Sequence, residues 1–149
     1  MVERTQLDLG NYLPYLINRV GFALVDSFSQ TLKPHQLSID MWRVLAALSN
    51  NGGQRQVDLS GMTSIDASTM SRLVSRLIRQ GLVTRSRSET SSREVVVALS
   101  PKGRALVQRL IPIALKLEQI ASAGLPAKDL AVVKRLLRQI YGNLAANRR

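Results

Sequence analysis

The 149-residue chain carries 21 Lys and Arg against 10 Asp and Glu, which gives a formal net charge of +11. Apolar residues make up 45%, enough for a folded core, while aromatic residues make up only 4%. The excess positive charge favours a polyanionic partner, either nucleic acid or an anionic membrane surface. No apolar run approaches the ~20 residues that a membrane-spanning helix needs, and the first residues lack the order of a signal peptide. We therefore expect a cytoplasmic protein that binds no membrane.

The chain has no cysteine, and His35 is its only histidine. This composition excludes disulfides, thiol redox switches and thiolate metal sites, and a single histidine cannot build a multi-histidine metal centre. The carboxylates show no paired spacing, and neither a phosphate-binding glycine loop nor a Ser–His pair is suggested. We expect no enzyme activity, no metal and no cofactor.

In the first half of the chain, three helices are predicted. Apolar residues recur at helical spacing from Leu9 to Leu32, and Lys33-Pro34-His35 ends this long helix. Ser38 is the expected N-cap of a second helix, which ends at residues 50–53. A short helix over 54–61 then leads to a turn at 62–64. The side chains predicted to face the core in the second and third helices are Met41, Val44, Leu45, Leu48, Val57 and Leu59.

A fourth helix, from Asp66 to Gln80, is stopped by Gly81 and followed by two strands. The strands cover 82–88 and 94–99, with a polar hairpin tip at 89–93. The helix has an apolar face with i, i+3, i+4, i+7, i+8 spacing. That face consists of Met70, Leu73, Val74, Leu77 and Ile78.

Two long helices complete the predicted fold. Ser100 caps a helix that runs to about Ala123 with a kink at Pro112, and residues 124–126 separate it from the last helix. The predicted inward residues of the fifth helix are Leu106, Leu110, Ile113, Leu117 and Ile120. The last helix is marked by an apolar stripe of Leu130, Val133, Leu137, Ile140 and Leu144. The element order predicts a mostly α fold with one small β-hairpin.

The polar face of the fourth helix carries hydroxyl and guanidinium groups and, after Asp66, no carboxylate. A helix that faces water mixes both signs of charge, whereas one that faces DNA needs groups that contact phosphates and base edges. A short helix, a turn and this helix form a helix-turn-helix, and the hairpin forms a wing. The predicted DNA contacts are Ser68, Thr69, Ser71, Arg72, Ser75 and Arg76 on the helix and Arg85, Arg87 and Arg93 on the wing.

Charge is concentrated in the same segment. Between Asp66 and Arg104 there are eight basic and three acidic residues, a net charge of +5. Taken singly, the helix face has the alternative interpretation of a solvated surface, and the wing that of a flexible polar hairpin. Together they favour a sequence-specific DNA-binding protein. The alternative is a nonspecific architectural DNA-binding protein.

The chain resembles the MarR family of winged helix-turn-helix regulators over nearly its full length. The resemblance rests on the order and spacing of four stretches, 41–48 (MWRVLAAL), 66–77 (DASTMSRLVSRL), 81–85 (GLVTR) and 99–103 (LSPKG). It implies a winged helix-turn-helix lobe over 38–100 and a helical dimerisation region formed by the N- and C-terminal helices, 9–34 and 101–147, within a single chain unit of 1–149. It further implies a homodimer that binds a pseudo-palindromic operator in double-stranded DNA, most often as a repressor.

The chain departs from the family pattern in two places, the wing and the helix-turn-helix. The wing usually carries Asp-x-Arg, where the Asp steadies an Arg that enters the minor groove, but here the stretch is Ser91-Ser92-Arg93. The small Ala and the turn Gly of the helix-turn-helix are Ser60 and Ser64. Because serine is small, close helix packing stays feasible.

The resemblance also implies a small aromatic or phenolic acid effector, bound between the first two helices and the fifth. The candidate ligand-binding residues are Tyr15, Arg19, His35 and Trp42. Arg19 or His35 is suited to hold a carboxylate, and Tyr15 and Trp42 are suited to flank a ring. The alternatives are that Trp42 belongs to the core and that Arg19 forms an ion pair between subunits.

Overall fold

A computed structural model describes residues 5–88 and 94–148. Its helices and strands are α1 (Leu13–Leu32), α2 (Ile39–Asn51), α3 (Gln56–Thr63), α4 (Ala67–Arg79), β1 (Val83–Arg87), β2 (Val95–Leu99), α5 (Pro101–Ala121) and α6 (Ala127–Ala146). The strands pair antiparallel, with Val83 opposite Leu99 and Arg87 opposite Val95. The predicted fold, mostly α with a β-hairpin wing, is confirmed. The residues form two compact units, Met1–Leu115 and Lys116–Arg149.

The helix ends follow the predicted capping chemistry. The Ser38 hydroxyl accepts a hydrogen bond from the Met41 backbone N–H at 3.2 Å, and Gly52 ends α2 with φ of 75°. The first helix begins at Leu13 and not at Leu9, because Leu9–Asn11 forms a separate 3₁₀ turn. Pro14 lies in the first turn of α1, where its missing N–H costs no helical hydrogen bond.

The core of the first unit is aliphatic and centres on α2 and α4. Every predicted inward residue of α2 is buried, as are Met70, Leu73, Val74 and Leu77 of α4. Leu59 of α3 is fully buried, but the prediction for Val57 was wrong, since this side chain is 66% exposed. The two residues are two positions apart in α3, about 200° around its axis, so Val57 and Leu59 cannot both face the core.

The turn between α3 and α4 is tighter than predicted. Helix α3 continues through Met62 and Thr63, and Ser64 alone makes the turn with φ of 58°. A positive φ is uncommon for a residue with a side chain, which explains why glycine is usual at this position. Ser60 fits beneath the turn, but its hydroxyl oxygen is buried without a hydrogen-bond partner.

The long helices keep apolar rows exposed in the single chain. Ile113 and Ile120 of α5 are exposed, so the prediction that they face inward was wrong for one chain. In the apolar stripe of α6, Val133, Leu137 and Leu144 are exposed as well. Among the described residues, none of α6 is buried. In α1, the exposed apolar residues include Leu13, Leu16, Ile17 and Val20. These rows are apolar surface that the chain itself does not cover.

No helix in the described part of the chain combines the length and apolar character needed to cross a membrane.

The segment between α4 and β1 packs closely against the start of α5. The Ser100 hydroxyl donates to the Gly81 carbonyl at 2.6 Å and accepts from the Gly103 N–H at 3.0 Å. The Ser100 N–H donates to the Leu82 carbonyl at 3.0 Å. A Cβ atom at Gly103 would lie 1.9 Å from the Leu82 carbonyl oxygen. Only glycine therefore allows α5 to start against the end of α4.

We predict that Gly103→Ala lowers the free energy of unfolding by at least about 1–3 kcal/mol, because the added methyl overlaps backbone that cannot move independently. Thermal or urea unfolding of the two proteins at equal concentration measures this. Gly61→Ala is the matched control, since nothing lies within 4 Å of its Cβ position in α3. We expect that control to be roughly 0.5–1 kcal/mol more stable. Equal stability of Gly103→Ala and wild type would contradict the packing described.

Candidate nucleic-acid interface

The two faces of α4 differ sharply in chemistry. The apolar face is buried, so the face that carries the predicted DNA contacts is turned outward. Ser68, Ser71, Arg72 and Arg76 are exposed, and Thr69 and Ser75 are partly exposed. A shallow groove of about 260 Å³ follows this face, lined by Ser71, Arg72, Ser75, Arg76 and Arg79. Arg79 was outside the predicted contact set and extends the row of guanidinium groups by one turn.

The first turn of α4 is organised by the Asp66 carboxylate. Its Oδ1 accepts from the Thr69 backbone N–H at 2.8 Å and from the Ser68 hydroxyl at 2.7 Å. Its Oδ2 accepts from the Thr69 hydroxyl at 2.7 Å. The Thr69 hydroxyl oxygen in turn accepts from Arg72 Nη2 at 3.2 Å. Asp66 is therefore an N-cap that also fixes two side chains of the candidate interface.

These hydrogen bonds also fix the charge of Asp66. The Thr69 backbone N–H, the Thr69 hydroxyl and the Ser68 hydroxyl hold the pKa of the Asp66 carboxyl well below its usual value. The carboxylate is consequently ionised near neutral pH and can only accept hydrogen bonds.

The base of the wing is tied to α3. Arg85 of β1 donates from Nη2 to the Gln56 side-chain oxygen at 2.9 Å. Arg55, just before α3, donates to Asp58 at 2.8 Å and lies 3.5 Å from Glu94. The hydrogen bond from Arg55 lowers the pKa of the Asp58 carboxyl. The sequence patterns did not identify Gln56 or Arg55, because contacts between separate elements leave no local spacing signal.

Of the three arginines predicted to contact DNA from the wing, the structure describes two. Arg85 and Arg87 of β1 are exposed and lie on the strand next to α4 in the chain. Arg93 and the Ser91-Ser92 departure lie outside the described residues.

The four candidate ligand-binding residues are not brought into one cavity. Arg19 lies over the Tyr15 ring, with its guanidinium carbon 5.7 Å from the ring centre, on an open surface of α1. Trp42 packs edge-on against Phe28, with ring centres 5.3 Å apart at 61°. His35 lies elsewhere, in the turn between α1 and α2. Within the described residues, Tyr15 and Arg19 line a surface of α1 that differs from the cleft lined by His35, and a pocket shared by all four residues stays a prediction.

His35 instead lines a cleft of about 470 Å³ between the α1–α2 turn, the end of α4 and the start of α5. Arg79, Lys102 and Arg109 contribute positive charge to its lining. Within the described residues, none of these cations forms an ion pair with a carboxylate. The Lys102 ammonium donates to the Gln80 carbonyl at 3.0 Å. The full lining is Pro34, His35, Gln36, Arg79, Gln80, Leu82, Lys102, Leu106 and Arg109.

Comparison with known sequences gives a consistent family assignment. The MarR family model matches residues 37–95. The HTH-type transcriptional repressor NicR of Pseudomonas putida is 27% identical over 139 residues, which are 93% of this chain and 88% of NicR. The HTH-type transcriptional repressor Rv2887 of Mycobacterium tuberculosis is 29% identical over 128 residues, which are 86% of this chain and 92% of that protein.

Comparison with solved structures leads to the same family. BpsR of Bordetella bronchiseptica, whose DNA binding is regulated by 6-hydroxynicotinic acid, superposes with a TM-score of 0.81 and 29% identity over 92% of this chain and 98% of BpsR. PcaV of Streptomyces coelicolor, solved with its natural ligand, has a TM-score of 0.77 and 25% identity over 93% of this chain and 97% of PcaV. Residues 37–95 thus match the MarR family of transcriptional regulators, and the similarity to NicR and BpsR extends over 93% and 92% of the chain.

Proposed function

We propose that this protein is a sequence-specific transcriptional repressor that binds a pseudo-palindromic operator as a homodimer. The observation that carries the proposal is the outward face of α4, where Arg72, Arg76 and Arg79 stand among hydroxyls with Asp66 as the only carboxylate. Arginine donates to phosphates and pairs with guanine through two parallel hydrogen bonds. The similarity to the repressors NicR and Rv2887 supports repression over activation.

The dimer follows from uncovered apolar surface and from operator symmetry. Helices α1, α5 and α6 each leave an apolar row exposed, and a second copy would bury these rows. In this proposal the segments 9–34 and 101–147 form the subunit contact, and 38–100 forms the DNA-binding lobe. Two recognition helices would then enter successive major grooves on one side of the duplex.

We predict that the wild-type protein selects a defined inverted repeat from a randomised duplex pool and that binding weakens steeply with salt, since phosphate contacts release counterions. Arg72→Ala should cost about 1–3 kcal/mol of binding free energy and relax preference at one base pair of each half-site. Fluorescence anisotropy with operator and scrambled duplexes measures both effects.

Lys128→Ala, which removes the same charge from α6, is the control and should change neither affinity nor preference. Equal affinity of the wild-type protein for operator and bulk DNA would leave only the nonspecific architectural function. Equal losses on operator and scrambled duplexes for Arg72→Ala would reduce Arg72 to a phosphate contact.

We further propose that a small aromatic acid releases the repressor from its operator. The support is the 6-hydroxynicotinic acid response of BpsR together with the unpaired cations of the His35 cleft. Arg109 and Lys102 would hold the carboxylate, while Arg79 connects the cleft to α4. The acid can shift the protein from its DNA-binding state only as far as it binds the other state more tightly.

We predict that 6-hydroxynicotinic acid or a related hydroxybenzoic acid raises the melting temperature and weakens operator binding. Arg109→Ala should reduce affinity for the acid about tenfold, because a charge-assisted hydrogen bond is lost, and should leave operator binding without the acid unchanged. Arg19→Ala is the control and should retain the response. The reverse pattern, with Arg19 required and Arg109 dispensable, would place the acid on α1.

A further inference from the structure

At the start of α4, the proposed recognition helix, two side-chain hydroxyls already donate their protons in hydrogen bonds within the protein. Ser68 and Thr69 each lie 2.7 Å from an oxygen of Asp66. A carboxylate has no proton to give, so in both contacts the hydroxyl must be the donor. Each hydroxyl has one proton, and neither has a second one with which to contact DNA. What these oxygens still offer is lone pairs.

The two hydroxyl oxygens differ in how accessible their lone pairs are to a DNA duplex. Thr69 is partly buried, and its oxygen already accepts from Arg72. Ser68 is exposed, and within the described residues its oxygen accepts no hydrogen bond. Ser68 therefore presents a hydrogen-bond acceptor at the tip of the recognition helix, one turn from the Arg72 donor.

Few groups on DNA can pair with such an acceptor. Phosphate oxygens, guanine O6 and N7, adenine N7 and thymine O4 are all acceptors themselves. The hydrogen-bond donors in the major groove are the cytosine N4 and adenine N6 amino groups. We infer that Ser68 reads an amino group of cytosine or adenine in the operator and that Asp66 is the positioning residue that gives Ser68 this polarity. The inference rests on the proposed operator binding.

The other hydroxyls of the same face provide an internal contrast. Among the described residues, the side-chain hydroxyls of Ser71 and Ser75 make no hydrogen bond to the protein. Their hydroxyls rotate freely and can donate to a phosphate or accept from an amino group. The commitment to an acceptor role is thus specific to the two hydroxyls that Asp66 holds.

The test couples removal of one protein group to removal of one base group. Systematic base-pair changes in the selected operator locate the pair at which Ser68→Ala relaxes preference. At that pair, purine in place of adenine or 2-pyrimidinone in place of cytosine deletes the amino group, and a 7-deazapurine deletes the N7 acceptor. We expect amino deletion to weaken wild-type binding about five- to tenfold beyond its effect on Ser68→Ala. Deletion of N7 should affect both proteins equally.

Three further variants test whether the Ser68 hydroxyl acts as a hydrogen-bond acceptor or only touches the base. Asp66→Asn keeps an oxygen for the Thr69 N–H and the Ser68 hydroxyl, so the coupling to the amino group should persist. Asp66→Ala frees the Ser68 proton, so the preference for an amino group over an acceptor should disappear, with helix content checked by circular dichroism. Ser71→Ala, the matched control, should show no coupling at that pair.

The inference would be overturned if Ser68 were coupled to N7 or to a base carbonyl. It would also be overturned if Ser68 were coupled to no base pair of the operator. In both cases operator binding itself would still stand. Failure of the wild-type protein to select any sequence would instead overturn the proposed function, and the inference with it.

Discussion

The fold depends on how α4 divides its surface. Met70, Leu73, Val74 and Leu77 pack into the core, and their burial fixes the rotation of the helix about its axis. Burying these side chains is worth roughly 1.5–3 kcal/mol each, so turning the helix over is not accessible. The guanidinium and hydroxyl face must therefore point away from the core. Core packing thus determines the orientation of the face proposed to bind DNA.

The far end of α4 is fixed by hydrogen bonds to the backbone carbonyls of residues 80–82. Ser100 bonds to the Gly81 and Leu82 carbonyls, and Gly103 has no side chain to hold α5 away from them. The His35 cleft opens beside this junction and takes cations from both α4 and α5. An anion bound there would bridge the two helices directly. This arrangement gives a physical route by which an effector changes the position of α4, provided that its affinity differs between two states.

Sequence reasoning succeeded where the determinant was local. The spacing of apolar residues in α2 and α4, the Ser38 and Ser100 caps and the glycine stop at Gly81 are encoded within a turn or two of helix, and the structure confirms them. Val57 failed because residues two positions apart lie on nearly opposite faces of a helix, so Val57 and Leu59 cannot both face the core. Ile113 and Ile120 failed because periodicity identifies an apolar face but not the surface that covers it.

The candidate sites, too, were predictable from the sequence only where one element carries them. The outward face of α4 was predictable because one helix carries it. The His35 cleft was not, since Arg79, Lys102 and Arg109 come from two helices and converge only after folding. Tyr15, Arg19 and Trp42 were grouped through the family's pocket, and the structure pairs Arg19 with Tyr15 but Trp42 with Phe28. The pairing of Arg85 with Gln56 likewise joins residues whose proximity no local pattern encodes.

The central claim is that the polar face of α4 lies against duplex DNA. The absence of cysteine allows a direct measurement, because a single introduced thiol is the only one present. Ser71→Cys, on that face, should form a disulfide with a thiol tethered to a base in the major groove of the selected operator. Ser49→Cys, exposed on α2, should not. Equal crosslinking of the two variants, or crosslinking at Ser49 alone, would contradict the account.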